Sequence, residues 1–332
     1  MNSYFHKKIE KNSQQVNRYI ISLLYGKPDD LYEAASSYIH SGGKRLRPLM
    51  VIKSCEMFNG SRLKALPAAA AVELIHNFSL VHDDIMDNDE IRHNIETVHR
   101  KYGLPLAILA GDTLFSMAFH VISYQGMKNK IPYENIVQMI SKLSHACVQV
   151  CEGQALDVSF SKNKEFPTEI EYIDMINKKT AALFQASCAL GALSSGAKNK
   201  DVKNMDNFGK NIGIAFQLID DLIGIVGDPK FTGKAVGNDL REGKKTYPIL
   251  LALNTANEGD RQSILDVFGK RTSSEKIKNA VKIISALQIE DKVRKKAISH
   301  MKIAEKAIQN YPDLEPKKTL VEIANFIVKR SR

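Results

Sequence analysis

Apolar residues in this chain return at three- and four-residue intervals almost from end to end, the period of an amphipathic α-helix. Asp29 or Asp30 can cap a helix running to about His40, and Gly42-Gly43 breaks it. Further helical patterns cover 48–58, 65–88, 105–126, 133–160, 168–195 and 201–227, and the spacing resumes at Tyr247. Gly227-Asp228-Pro229 stops the seventh helix, and Gly233, Gly237 and Gly243 continue that break as a loop. The polar stretch 258–276 reads as a flexible connection. No hairpin signal, repeat or linker-like change in composition interrupts the pattern. The expectation is an all-α fold, a single large helical-bundle domain over residues 1–332.

The chain's 332 residues are long enough to bury a large core, and 44% hydrophobic with 25% charged residues argues against disorder. The formal charge of +10 suits anionic partners, but the basic residues are spread and form no arginine-rich tract. Most of the lysines are read as solvated surface, and no nucleic-acid partner is expected. Cys55, Cys147, Cys151 and Cys188 have no disulfide-framework spacing, which fits a reducing compartment. Cys147 and Cys151 share a helix face, a spacing that small core residues also adopt. No run of 18 consecutive apolar residues exists, so no membrane span is expected. The charged start resembles neither a secretory nor a transit signal, and a cytoplasmic location is expected.

The chemistry is concentrated in two acidic clusters. Residues 76–89 read His-Asn-Phe-Ser-Leu-Val-His-Asp-Asp-Ile-Met-Asp-Asn-Asp. Asp83 and Asp87 share a helix face, Asp84 lies one step round, and His76 lies two turns back on the Asp83 face. Such a density of carboxylates beside an apolar helix needs a compensating cation. Magnesium suits it, since that ion takes one or two carboxylates and completes its shell with water and substrate phosphate. The competing reading is a solvated acidic helix end. Residues 216–221, Phe-Gln-Leu-Ile-Asp-Asp, form the second cluster, with Gln217 on the face of Asp221. Asp228 would join that face if the helix persisted. Two such helices suggest a cavity with metals on both walls and a diphosphate bridging them. Gly42-Gly43-Lys44-Arg45-Leu46-Arg47-Pro48 supplies an anion site: Arg47 can fork onto phosphate, and Lys44 adds a point charge. Its glycine spacing is not that of a P-loop. Lys178-Lys179-Thr180, Lys234 and Lys244 add cations around the second cluster.

In this order the pieces resemble the all-trans polyprenyl diphosphate synthases, the farnesyl and geranylgeranyl diphosphate synthase family. The resemblance covers residues 42–248 and rests on 42–48, His76 through Asp87, Thr97-Val98-His99, Gly153-Gln154 with Asp157, Lys179-Thr180, Phe216 through Asp221, and Gly243-Lys244-Lys245-Thr246. It implies an isoprenoid-synthase bundle with a central cavity and a homodimer. Asp83, Asp87 and Asp221 resemble magnesium ligands, with Asp84 and Asp220 beside them. Three magnesium ions with bound diphosphate are implied. Arg92, Lys179, Thr180, Gln217, Lys234 and Lys244 resemble the allylic diphosphate site. Lys44, Arg47, His76 and His93 resemble the isopentenyl diphosphate site. The implied catalytic set is Lys179, Thr180, Gln217, Asp83 and Asp221. The reaction is ionisation of the allylic diphosphate, attack by isopentenyl diphosphate, and proton loss, with no side-chain nucleophile.

Two positions depart from the family pattern. Arg92-His93-Asn94 stands where many members have Arg-Arg-Gly, which leaves a titrating imidazole in place of an arginine. Gly224 stands where a third aspartate of the second cluster often lies. Phe78 and Ser79, about 6 to 7.5 Å along the helix from Asp83, resemble the floor of an elongation tunnel. With no insertion between Asp84 and Asp87, this implies a short-chain synthase of archaeal type making geranylgeranyl diphosphate. Farnesyl or longer products are the alternative if Phe78 is only core. A terpene cyclase would leave 42–48 without a task, and a non-catalytic subunit of a heteromeric synthase would not need both acidic clusters.

Overall fold

The computed structural model describes residues 3–227 and 236–330, and Asp228, Lys234 and Gly233 lie outside that range. Helices dominate, as the period demands. In order they are α1 (Ser3–Ile21), α2 (Asp29–His40), α3 (Leu46–Met57), α4 (Arg62–Asp87), α5 (Val98–Tyr102), α6 (Leu104–His120), α7 (Gly126–Lys128), α8 (Tyr133–Lys162), α9 (Glu169–Ile176), α10 (Ala182–Ser195) and α11 (Asn199–Val226). Beyond 236 they are α12 (Asn238–Glu242), α13 (Tyr247–Thr255), α14 (Glu258–Leu265), α15 (Ser274–Ala286), α16 (Ile289–Ile308) and α17 (Glu315–Lys329). The fold class is therefore the all-α class that the periodicity predicts. The chain divides into two compact units: 1–147, 186–206 and 311–322 form the first, and 148–185, 207–310 and 323–332 the second.

In the first unit, α4 is the central element. Ser61 caps its start by accepting from the Lys64 backbone, and Ala68 through Ala71 are fully buried, which lets neighbouring helices approach closely. Pro67 sits inside this helix and cannot donate to the Leu63 carbonyl; the Asn129 side chain donates to that oxygen instead, at 2.6 Å. α6 buries the stripe Ala107, Ala110, Leu114 and Ala118. The stretch Leu104–Lys128 is long and apolar enough, by length and composition, to cross a membrane, and 39% of its most apolar window is buried. It carries Asp112 and His120 on exposed positions.

One expectation is corrected here. A hairpin exists, though only two residues long on each side: Ile91–Arg92 (β1) pairs antiparallel with Ile95–Glu96 (β2). Its central residues His93 and Asn94 have φ of 51° and 63°, as a primed hairpin turn requires. The sequence signal was Asn94, a residue that tolerates the left-handed region without being glycine. A helix also precedes the one that the Asp29 or Asp30 cap suggests: α1 buries Val16 and Ile20 completely.

In the second unit the core gathers Leu218, Ile219, Leu222, Ile249, Ile289 and Val293 among other residues. The stretch 258–276, expected as a flexible connection, begins with α14, capped by Asn257 accepting from Asp260 N. Ile264 and Val267 are buried, so two apolar anchors were enough to order a polar segment.

Candidate active site

Residues 42–47 are shaped by a buried ion pair. Gly42 and Gly43 take φ of 91° and 136°, and Arg45 follows at 47°. Arg45 turns inward: Nη1 donates to Glu73 Oε1 at 2.6 Å, Nε to Asn17 Oδ1 at 2.8 Å, and Nη2 to the Ile39 carbonyl at 2.9 Å. Asn77 donates to the same Glu73 carboxylate at 3.2 Å. With the middle basic residue anchored, Lys44 is left exposed and Arg47 half-buried. Arg47 Nη1 lies 3.3 Å from His76 Nε2. Since arginine only donates, that nitrogen accepts, and the ring proton belongs on Nδ1. Burial pushes the His76 pKa well below its ordinary value, and Arg47, Arg45, Arg92 and His93 add to the effect. His76 is thus a neutral hydrogen-bonding group, not a cation.

The first acidic cluster sits at the end of α4. Asp84 is fully buried, and both its oxygens are engaged: Arg92 Nε donates to Oδ1 at 2.5 Å, and the Tyr38 hydroxyl donates to Oδ2. That hydroxyl also accepts from Val98 N, tying α2, α4 and the start of α5 together. Burial raises the Asp84 pKa, while Tyr38 and Arg92 pull it back. Arg92 reaches towards Asp83 at 3.9 Å and Asp89 at 3.7 Å. Asp83 is partly exposed and Asp87 exposed. His93, on the hairpin turn, has Nδ1 3.4 Å from Ser41 Oγ, and burial followed by Arg92 and Arg45 lowers its pKa. Phe78 packs edge-on against His82 and Phe115, with centroids 4.7 and 5.1 Å away. Ser79 Oγ donates to the His76 carbonyl at 2.8 Å.

The second unit repeats this design with different groups. A π turn, Asn177–Ala181, carries Lys178, Lys179 and Thr180 between α9 and α10; such turns recur at functional sites because they re-aim side chains within a helix. A Cβ at Gly153 of α8 would lie 2.2 Å from Lys179 N, so only glycine lets the two backbones meet there. Lys179 Nζ donates to Asp157 Oδ2 at 2.5 Å. Thr180 Oγ1 donates to Gln217 Oε1 at 2.8 Å, and Gln217 Nε2 to Asp221 Oδ1 at 2.9 Å. The Tyr172 hydroxyl donates to Asp221 Oδ2 at 2.5 Å. Burial drives the Asp221 pKa well above the usual carboxylate range; Tyr172 and Gln217 counter it, while Asp239 and Asp220 add to it. Asp220 is 53% exposed and meets Arg330 at 2.9 Å. Lys244 Nζ pairs with Glu242 at 2.7 Å. Its neighbour Lys245 donates to the carbonyls of Phe160, Asn163 and Glu165, closing the end of α8.

Asp83, Asp84 and Arg92 therefore stand together in the first unit, as do Arg47 and His76. Thr180, Gln217 and Asp221 stand together in the second, and Lys179 turns to Asp157. Sequence reasoning passed over Tyr38, Tyr172 and Arg330, and it included Asp157 only as part of a motif. Asp84 and Asp221, expected among the metal ligands, spend both oxygens on protein donors. The carboxylates turned outward are Asp83, Asp87 and Asp220. Among the described residues no three His, Cys, Asp or Glu side chains converge as a ready-made metal site. The donor set still fits magnesium, whose habit is few carboxylates, several waters and substrate phosphate.

Comparison with known proteins identifies the family. The pattern of the family described as Polyprenyl synthetase matches residues 28–284. A geranylgeranyl diphosphate synthase of Sulfolobus acidocaldarius is 40% identical, over 99% of this chain and 100% of that one. A geranylfarnesyl diphosphate synthase of Aeropyrum pernix is 38% identical, over 95% and 99%. The crystal structure of a geranylgeranyl pyrophosphate synthetase from Pyrococcus horikoshii superposes with a TM-score of 0.91 at 38% identity, covering 98% of both chains.

Proposed function

The chain belongs to the polyprenyl synthetase family and is a prenyltransferase, and from that premise we propose that it joins isopentenyl diphosphate head to tail to allylic diphosphates, with geranylgeranyl diphosphate as its main product. One observation supports this above the others. Each acidic cluster buries one aspartate under a tyrosine hydroxyl and turns another outward. Asp84 and Asp221 fix the helix ends, which leaves Asp83, Asp87 and Asp220 to hold cations.

Magnesium, three ions with bound diphosphate, would supply the positive charge that stabilises a departing diphosphate. Lys179, Arg92, Lys244 and Lys234 bind the allylic diphosphate and add fixed charge where negative charge develops. Lys44 and Arg47 bind the diphosphate of isopentenyl diphosphate, and neutral His76 orients Arg47. His93 contributes a hydrogen bond there when neutral and a charge when protonated. Thr180 and Gln217 present oxygen and amide dipoles to the allylic end, held in register by Asp221. The double bond of isopentenyl diphosphate attacks the allylic cation, and the proton leaves to the released diphosphate. Phe78, backed by Phe115, closes the elongation tunnel beside Ser79. The Aeropyrum relative, named for a longer product, favours geranylfarnesyl diphosphate as the second reading.

Leu104, Ile108, Leu109, Tyr133 and Val137 are exposed apolar side chains of the first unit, which suits a homodimer. Four free thiols suit the cytoplasm. The test is incubation with labelled isopentenyl diphosphate and one allylic primer at a time, with magnesium or EDTA, followed by sizing of the products. Magnesium-dependent elongation ending at twenty carbons supports the proposal. Folded protein that elongates no primer would favour a non-catalytic subunit instead.

A further inference from the structure

Arg330 follows the last residue of α17 and lies 110 positions from Asp220. Its Nη2 donates to Asp220 Oδ1 at 2.9 Å and to the Phe216 carbonyl at 3.0 Å. Its guanidinium carbon lies 4.1 Å from the centre of the Phe216 ring. The side chain is only 11% exposed, and its Nε is buried with no hydrogen-bond partner. Carboxylate, carbonyl and aromatic face thus make a seat for one cationic side chain.

The seat is unusual in what it covers. Asp220 is the outward carboxylate of the second cluster, the one whose oxygens a divalent ion would take. Beside it, the donors that meet Asp221 among the described residues are neutral, Tyr172 and Gln217. Among the described residues, the cation seated on the outward carboxylate is Arg330, just past α17. A bare divalent ion approaching Asp220 meets that like charge. A diphosphate arriving with the ion carries enough negative charge to offset it and offers the guanidinium a new partner.

We propose that Arg330 is a positioning residue of the second acidic cluster, holding Asp220 in the place of a divalent cation and yielding it only to a cation that arrives with a diphosphate. The inference rests on the reading of Asp220 as a metal ligand. It makes metal and diphosphate binding strongly cooperative, so the free enzyme holds metal weakly.

The test is Mn2+ binding to the full-length protein, read from the electron paramagnetic resonance of free Mn2+, alone and with excess inorganic pyrophosphate. Arg330→Gln should tighten Mn2+ binding without pyrophosphate on the order of ten-fold and shrink the effect of pyrophosphate accordingly. Arg330→Lys, which keeps the charge, should stay near wild type, and Asp220→Asn should weaken binding. Arg330→Gln with wild-type or weaker Mn2+ affinity, while Asp220→Asn weakens it, would overturn the inference alone. Unchanged Mn2+ binding in Asp220→Asn would remove the ligand reading as well. Melting temperatures taken alongside identify a purely structural clamp, which lowers stability and leaves Mn2+ affinity where it was.

Discussion

The two acidic clusters solve one problem in two ways. At the end of α4, buried Asp84 receives a tyrosine hydroxyl and a guanidinium, so its charge is compensated within the protein. At the end of α11, buried Asp221 receives a tyrosine hydroxyl and an amide, both neutral. Burial pushes its carboxyl well above the ordinary range against the pull of Tyr172 and Gln217, and burial also raises Asp84, where Tyr38 and Arg92 pull it back. In the first cluster the buried carboxylate has a cation of its own before any ligand arrives, and the outward Asp83 shares that cation only at 3.9 Å. In the second, among the described residues, an arginine sits on the outward Asp220 and not on the buried carboxylate. Burying a carboxylate demands a partner, and the kind of partner decides whether the site waits for a ligand.

Substitutions can break this comparison, and the largest effects are expected at the outward carboxylates. Asp83→Ala and Asp220→Ala should each lower kcat about 10²- to 10³-fold in steady-state elongation, the usual loss when a group stabilising developing charge is removed. Next come the inward partners. Arg92→Met strands a buried charge and should cost about 3 kcal/mol in urea unfolding without metal, whereas Gln217→Leu removes a neutral donor and should cost about 1–2 kcal/mol. Equal losses would show that the two clusters are not differently compensated. Gly153→Ala forces a methyl onto the Lys179 backbone and should destabilise by about 1–3 kcal/mol while weakening allylic diphosphate binding, seen as a raised KM.

A smaller effect is predicted for pH. The His76 pKa is lowered on folding, so the unfolded chain takes up its proton first. Stability is therefore full above about pH 6.5 and falls below it, by up to about 1.4 kcal/mol per pH unit for this one group. His76→Gln should flatten that part of the stability profile measured by urea unfolding. Phe78→Ala should leave the rate nearly unchanged and lengthen the main product by at least one isoprene unit, read by product sizing. Unchanged length would make Phe78 core rather than floor.

Much of this could be read from the sequence because it is local. Asp83, Asp84 and Asp87 fall on one helical turn, Arg45 and Arg47 share a short segment, and the helical period carried the fold class. The partners that decide each residue's role are distant: Tyr38 is 46 residues from Asp84, and Tyr172 is 49 from Asp221. No spacing rule links them, so the spacing alone does not tell which of two adjacent aspartates is buried under a tyrosine. The π turn at Asn177–Ala181 was equally hidden, since one extra residue barely disturbs an apolar period. The inward turn of Arg45 towards Glu73 depends on burial, which the run of basic residues does not reveal.

The central claim is that outward aspartates hold metal and inward ones position it. The most direct measurement is the magnesium concentration giving half-maximal elongation, compared across Asp83→Asn, Asp220→Asn, Asp84→Asn and Asp221→Asn. The account predicts that the first two raise that concentration about ten-fold or more, while the last two lower kcat and leave it within about two-fold of wild type. An Asp84→Asn or Asp221→Asn enzyme needing as much extra magnesium as the outward variants would contradict it.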